Sequence, residues 1–321
     1  MRHLVKPGAC RQLVLHVVIF TIVLSGRLVS AGAVEVRVGY QKSSTLITLL
    51  KSTGSLDGKL TAEGARVSWH EFTSGAPLLE ALNVGGIDLS ADVADTVPIF
   101  ALAAGSKFAY YAQETPSPAA QAILVRADSP IRSVAQLSGK RVAVAKAAGA
   151  HYLLLAALER AGLKLGDVRA SYLTPADGRA AFERGSVDAW AVWDPYFAGA
   201  QQQIGARVLV DGSSLANYRR YYLASAEFAR AYPSIVRVVF EALQERGTWV
   251  KAHPQEAAAV LAPIWGLDPQ TTGVANSRRS YDVQPVTAQA LGEQQKIADA
   301  FLGAALLPKA VNVAAVAIWR P

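Results

Sequence analysis

The chain is almost free of sulfur. It has one cysteine, Cys10, and one methionine, Met1, in 321 residues. Acid is also missing from one end: residues 1–33 carry Arg2, Lys6, Arg11 and Arg27 and no aspartate or glutamate. Within that stretch "LVLHVVIFTIVLSG" (13–26) is apolar but short for a bilayer span. Small residues at Ala31 and Ala33 follow it. This is the layout of a secretory signal peptide cleaved after Ala33, with an N-terminal membrane anchor as the alternative that Arg27 disfavours. Cleavage removes Cys10, which excludes disulfides and thiol chemistry from the mature chain. It also removes four cations, so the net charge falls from +7 to +3 and the basic balance no longer argues for nucleic acid. Beyond residue 33 there is no second long apolar run, no Ser/His/Asp motif and no phosphate-cradling glycine loop. His70, His151 and His253 show no metal-ligand spacing. Hydrolase, nucleotide and metal chemistry are thereby disfavoured, and no cofactor is expected.

What is present is alternation. "VEVRVGY", "ARVSWHEF", "GIDLSA" and "QAILVRADS" read as strands, and "SSTLITLLKSTG", "SGAPLLEALNVG" and "TVPIFALAAG" between them as helices. The pattern restarts near residue 130 with the strands "KRVAVAK", "VRASYL", "SVDAWAVW" and "ARVLVDG", again separated by helices. From "AEFARAYPSIV" onward the chain is mostly helical. This order predicts an α/β protein with a mainly parallel sheet.

Two stretches match each other. "EALNVGGIDLSADVADTVPIFA" (80–101) and "AAFERGSVDAWAVWDPYFA" (180–198) both run from helix end through glycine and Ile/Val-Asp into a strand. Each strand then meets an acid, a proline and another helix. The match is either two equivalent halves or the common grammar of α/β folds. In the first case the turns "ADVADT" and "VWDPY" form equivalent ligand-facing edges, since ligands gather at the carboxyl ends of parallel strands.

The segments "VRVGYQKSSTLITLLKSTGSL", "GARVSWHEFTSGAPLLEALNVGGIDL", "KRVAVAKAAGAHYLLLAALERAGL", "YLTPADGRAAFERGSVDAWAVWDPYFA" and "RRSYDVQPV" resemble the periplasmic substrate-binding proteins of ABC importers for aliphatic sulfonates. The resemblance spans the mature chain. It implies a type II periplasmic binding protein: two α/β lobes with a ligand cleft and a hinge. Lobe 1 would comprise 34–122 plus 221–321, and lobe 2 would comprise 123–220. It further implies a monomer that delivers an organosulfonate to an ABC permease for sulfur acquisition. Taurine, nitrate and thiamine-precursor binding, or a synthase-like relative, are the alternatives. The chain departs from the family at "ADVADTVP", where Val93 and Ala94 stand in place of a glycine-rich turn and would narrow the pocket.

A sulfonate is a monoanion with three acceptor oxygens, and free N–H groups at a helix N-terminus suit it. Ser74-Gly75-Ala76 and Gly149-Ala150-His151 are the two candidate turns. Each is also ordinary strand-to-helix chemistry. His151 is either a ligand N–H donor or a surface cap. Gln41, directly after the first strand, would donate its amide to the headgroup. Trp193 would wall the organic tail, with Tyr196 beside it, whereas Trp190 on the opposite strand face reads as core. Asp194-Pro195 reads first as helix N-cap and first helical residue. Asp194 and Asp95 would meet the ligand only if it carried an amine. Arg278 and Arg279 would serve either those acids or the anion. Thr96 and Gln121 complete the candidate set.

Overall fold

The computed structural model describes Met1, His3 and residues 32–321. Nearly all of the expected leader, with Cys10, lies outside the described residues. Residues 33–321 form one compact unit.

The first part runs β1 (Val34–Gln41), α1 (Thr45–Ser52), α2 (Ser55–Ala62), β2 (Ala65–Phe72), α3 (Gly75–Asn83), β3 (Leu89–Ala94), α4 (Thr96–Ala103) and β4 (Phe108–Glu114). The second contains β5 (Gln121–Val125), β6 (Arg141–Val144), α5 (Gly149–Arg160), β7 (Arg169–Tyr172), α6 (Pro175–Glu183), β8 (Ala189–Trp193), α7 (Tyr196–Ile204) and β9 (Arg207–Asp211). The chain then returns through β10 (Arg220–Ser225), α8 (Ala226–Ala231), α9 (Pro233–Ala252), α10 (Pro254–Trp265), α11 (Pro269–Ser277), β11 (Val283–Gln284), α12 (Ala288–Gly303) and β12 (Ala317–Ile318).

The strands form two sheets. The larger has the order β11-β4-β10-β3-β1-β2 with β12 on β4, and the smaller has the order β7-β6-β8-β5-β9. Both are mixed, not mainly parallel as the alternation predicts. β1 pairs parallel with β2 and β3, and β6 with β7 and β8, but β10 and β5 run antiparallel to both of their neighbours. Besides the two-residue β11 and β12, β4 and β10 are the strands the sequence reading did not assign. β4 is buried along its whole length and β10 at all but its last residue, so neither alternates polar and apolar residues. The sheets also locate the crossovers. Gln121 and Ala122 already belong to the smaller sheet, and Arg220 to the larger, so the chain changes sheet within 115–120 and 212–219.

The C-terminal helices cover the larger sheet. α9 turns Ile235, Val236, Val239, Phe240, Leu243 and Val250 inward at helical spacing, in one core with Leu46, Leu49 and Leu50 of α1.

The two matching stretches are matching structures. Arg37 of β1 donates its backbone N–H and Nε to Asp88 Oδ2 (2.8 and 2.9 Å), Nη2 to Oδ1 (2.6 Å), and Nη1 to the Gly85 carbonyl. Arg141 of β6 makes the same clamp on Asp188 (2.8, 3.1 and 2.9 Å) and reaches the Gly185 carbonyl. In both, a left-handed glycine, Gly85 or Gly185, ends the helix that precedes the strand. The equivalent edges therefore end at β3 and β8.

Candidate ligand-binding site

The carboxyl ends of β1, β3 and β8 and the N-termini of α3 and α5 converge, with Val97 of α4, on one small cavity of about 20 Å3. Its walls are Gln41, Gly75, Ala94, Val97, Ala148, Gly149, Trp193, Tyr218 and Arg220. That volume admits about one water molecule, so an organic ligand requires its walls to part. Segments that end or follow strands of the two sheets bond to each other beside it: Thr96 donates its hydroxyl to the Ala147 carbonyl (2.7 Å), and Trp193 Nε1 lies 3.4 Å from Ser43 Oγ. A larger depression of about 650 Å3 lies at the opposite ends of β1 and β3, beside the Arg37–Asp88 clamp. It takes in Ser225 at the end of β10, residues of α8 and the Tyr232 N-cap of α9, and none of the residues nominated from the sequence.

Four of the sequence-nominated residues line the cavity: Gln41, Gly75, Gly149 and Trp193. Gln41 donates one amide N–H to the Asp92 carbonyl (3.1 Å). Gly75 and Gly149 are the first residues of α3 and α5, where amides have no intrahelical acceptor. Neither helix has a side-chain cap, so these donors are available to a ligand. Glycine is required at 149 because a Cβ there would fall within the Tyr218 ring, and at 75 because it would press on Val97 and Val93. Trp193 meets Tyr196 edge to face at 6.0 Å. Tyr196 faces a separate outer groove of about 250 Å3 that Lys42, Glu71, Phe72, Thr174 and Pro175 help to line. Trp190 is core, packed on Phe182 and over Gly178.

The other nominated residues stand elsewhere. Ser74 holds the N-cap position of α3, Ala76 is exposed, and Ala150 is buried within α5. Thr96 uses its hydroxyl on Ala147. Gln121 lies opposite Trp193 in the β5–β8 pair, fully buried, with neither amide atom bonded. His151 is neither a surface cap nor a cavity donor. Its backbone N–H bonds the Ala148 carbonyl, its Nδ1 accepts from Ala147 N (3.3 Å), and its ring packs on Tyr172 and Phe301. Burial, aided by Lys146, pushes its pKa down to about 4, so the ring is neutral.

Asp95 accepts from the Arg219 backbone N–H (3.0 Å) on the second crossover. Asp194 accepts from Ala198 N (3.0 Å) and from Arg278 Nη1 (3.2 Å). The helix begins one residue later than the Asp-Pro pattern predicts, so Pro195 holds the N-cap position of α7 and Asp194 precedes it. Burial pushes both carboxyls up to about 7, against the opposing pull of the Arg219 N–H on Asp95 and of Arg278 on Asp194. Neither acid lines the cavity. Arg278 thus serves Asp194, whereas Arg279 serves Glu114 (2.7 and 2.9 Å) and Asp92 (3.2 Å) and does not border the cavity.

The sequence reading missed Tyr218 and Arg220. Arg220 extends from the start of β10 to Asp92 Oδ2 (2.7 Å) and to the Tyr218 hydroxyl (2.9 Å). The available signal was "NYRRYYLAS": two arginines inside an aromatic run that reads as buried. Among the described residues no three His, Cys, Asp or Glu side chains are placed to hold a metal, and no helix is long and apolar enough to cross a membrane.

Two α/β units linked by two crossovers, with helix N-termini from both aimed at a shared cavity, define the periplasmic binding protein fold. The chain belongs to the NMT1-like family, whose model matches residues 31–266. It is 42% identical to the putative aliphatic sulfonates-binding protein of Escherichia coli (strain K12), over 89% of this chain and 88% of that one. The crystal structure of the periplasmic aliphatic sulphonate binding protein SsuA from Escherichia coli superposes with a TM-score of 0.80 at 41% identity, covering 89% of this chain and 97% of that one. The alkanesulfonate-binding protein SsuA from Xanthomonas axonopodis pv. citri, bound to MOPS, gives 0.85 at 38% identity, covering 91% and all of its own chain.

Proposed function

We propose that this protein is an exported, periplasmic solute-binding protein that captures an aliphatic sulfonate and passes it to an ABC permease. The observation that carries the reading is the cavity itself. Unpaired amides of two helix N-termini, the Gln41 amide and the Arg220 guanidinium meet there beside the indole of Trp193. The donors suit three anionic oxygens, and the indole offers apolar area to an alkyl tail. The relatives named for sulfonates support the assignment. A zwitterion such as taurine fits less well, because neither Asp95 nor Asp194 borders the cavity and both turn instead to Arg219 N–H, Ala198 N–H and Arg278. The two lobes close on the ligand about the crossovers, and the protein works as a monomer.

Headgroup and tail binding separate by mutation. Trp193→Ala weakens a long alkanesulfonate by about 1–3 kcal/mol, the value of a large apolar contact, and methanesulfonate less. Gln41→Ala weakens both by about 0.5–1.5 kcal/mol, the net value of one neutral hydrogen bond. Calorimetric titration reads both, in a buffer free of sulfonates. Equal losses for both ligands in Trp193→Ala would make Trp193 core, like Trp190. Export is tested separately: the N-terminal sequence of secreted protein is expected to start at Val34, and a retained leader on membrane-bound protein would refute it.

A further inference from the structure

We propose that the Arg220–Asp92 pair selects ligands by headgroup charge, admitting singly charged oxyanions and rejecting doubly charged ones. The inference rests on the anion-binding reading above and deepens it. Arg220 borders the cavity, yet its Nη1 is held by Asp92 and its Nη2 by the Tyr218 hydroxyl. Asp92 is shared with Arg279, which also grips Glu114. All four side chains are at most 3% exposed. Two guanidiniums and two carboxylates bonded into one buried cluster carry no net charge.

Three atoms of this cluster are left over. Arg220 Nε, Arg279 Nε and Asp92 Oδ1 are buried and bonded to nothing among the described residues. Of these, Arg220 Nε supplies a free donor on a cation that lines the cavity. The N-termini of α3 and α5 add about half a positive charge each, so together they balance about one negative charge. A second negative charge on the ligand would stand uncompensated, and the Asp92 carboxylate behind Arg220 would repel it. At a few Å and intermediate dielectric, one such repulsion is worth about a hundredfold or more in affinity. Shape cannot supply this discrimination, because a sulfonate and a phosphonate have the same tetrahedral outline and the same three oxygens.

The test uses the full exported protein at about pH 10 with methanesulfonate, with methylphosphonate, there almost wholly the isosteric dianion, and with the monomethyl ester of methylphosphonate as a bulkier monoanion. The wild type is expected to bind methanesulfonate about a hundredfold or more tighter than methylphosphonate. The ester is expected to bind better than the dianion despite its extra methyl group. Asp92→Asn is expected to cut the sulfonate preference at least about tenfold, and Glu114→Gln, one bond further away, to cut it less. An ester that binds no better than the dianion would assign the selection to size and overturn the proposal. So would a folded Asp92→Asn that keeps the wild-type ratio. If Asp92→Asn does not fold, the ester comparison and Glu114→Gln decide, and an unchanged ratio in Glu114→Gln overturns it. Equal binding of methanesulfonate and methylphosphonate would sink charge selection alone, whereas no binding of any sulfonate would sink the sulfonate reading beneath it.

Discussion

Arg279→Ala lowers the stability of the folded protein by about 3–5 kcal/mol in equilibrium urea unfolding, the scale for removing one partner of a buried ion pair. Arg279 bonds both oxygens of Glu114 and lies 3.2 Å from Asp92. These acids belong to β4 and β3, the strands that flank β10. Without Arg279, Glu114 keeps the Tyr222 hydroxyl (2.7 Å) and the Arg219 guanidinium reaches only its backbone carbonyl. Asp92 keeps Arg220. A fully buried carboxylate would then lack a cation, and desolvation exceeds what one hydroxyl returns. Adding Glu114→Gln removes that charge, so the double variant is expected to recover part of the loss. A loss below about 1 kcal/mol, or a double variant less stable than the single, would contradict the assignment. A ligand-contact role for Arg279 predicts the reverse: weaker sulfonate binding at unchanged stability.

The sequence was informative wherever the chemistry is local. Helix starts at Gly75 and Gly149, the strand ending at Trp193 and the paired Ile/Val-Asp turns follow from spacing along the chain. The Arg37–Asp88 and Arg141–Asp188 clamps then show that the internal match is structural. What could not be read was pairing between distant segments. β10 sits between β3 and β4 although it follows them by more than a hundred residues, and its arginine enters the cavity through that long-range pairing. The same cause misplaced Arg279. Its partners come from strands far away in sequence, and proximity to "RRSYDVQPV" carried no information about which anion it meets. His151 was misplaced for a different reason. A histidine three residues into a helix faces either the cleft or the core according to the packing of neighbours, and Phe301 of the distant α12 settles the choice.

Stability is expected to fall, not rise, as the pH is raised from 5 to 7.5. Asp95 and Asp194 hold their protons up to about 7 because burial outweighs their hydrogen bonds and Arg278. The unfolded chain releases the same protons near 3.8. Across the interval the folded state binds more protons, so the slope of stability with pH is negative, and it levels off above about 7. His151 acts in the opposite sense. Its folded value of about 4 against an ordinary 6.5 gives a rising contribution that ends near 6.5. Two carboxyls outweigh one imidazole, leaving a net loss of about 3 kcal/mol between pH 5 and 7. Asp188, Asp268 and Glu293 are lowered, so their contributions change only in more acidic solution. Urea midpoints at pH 5 and 7.5 measure the effect, and Asp95→Asn and Asp194→Asn are each expected to flatten it. A midpoint that rises with pH, or a slope untouched by both substitutions, would show that these acids ionise normally in the fold. The two sites also differ in what ionisation does. The Asp95 carboxylate gains backbone N–H groups of Thr96 and Arg219 and the unbonded charges of Arg219 and Arg220, whereas the Asp194 carboxylate bonds the Arg278 guanidinium, which also reaches Gln201 Oε1 (2.5 Å) on α7. Asp194→Asn therefore also loosens the tie between the end of α11 and the smaller sheet, and it is expected to be the more costly substitution above pH 7.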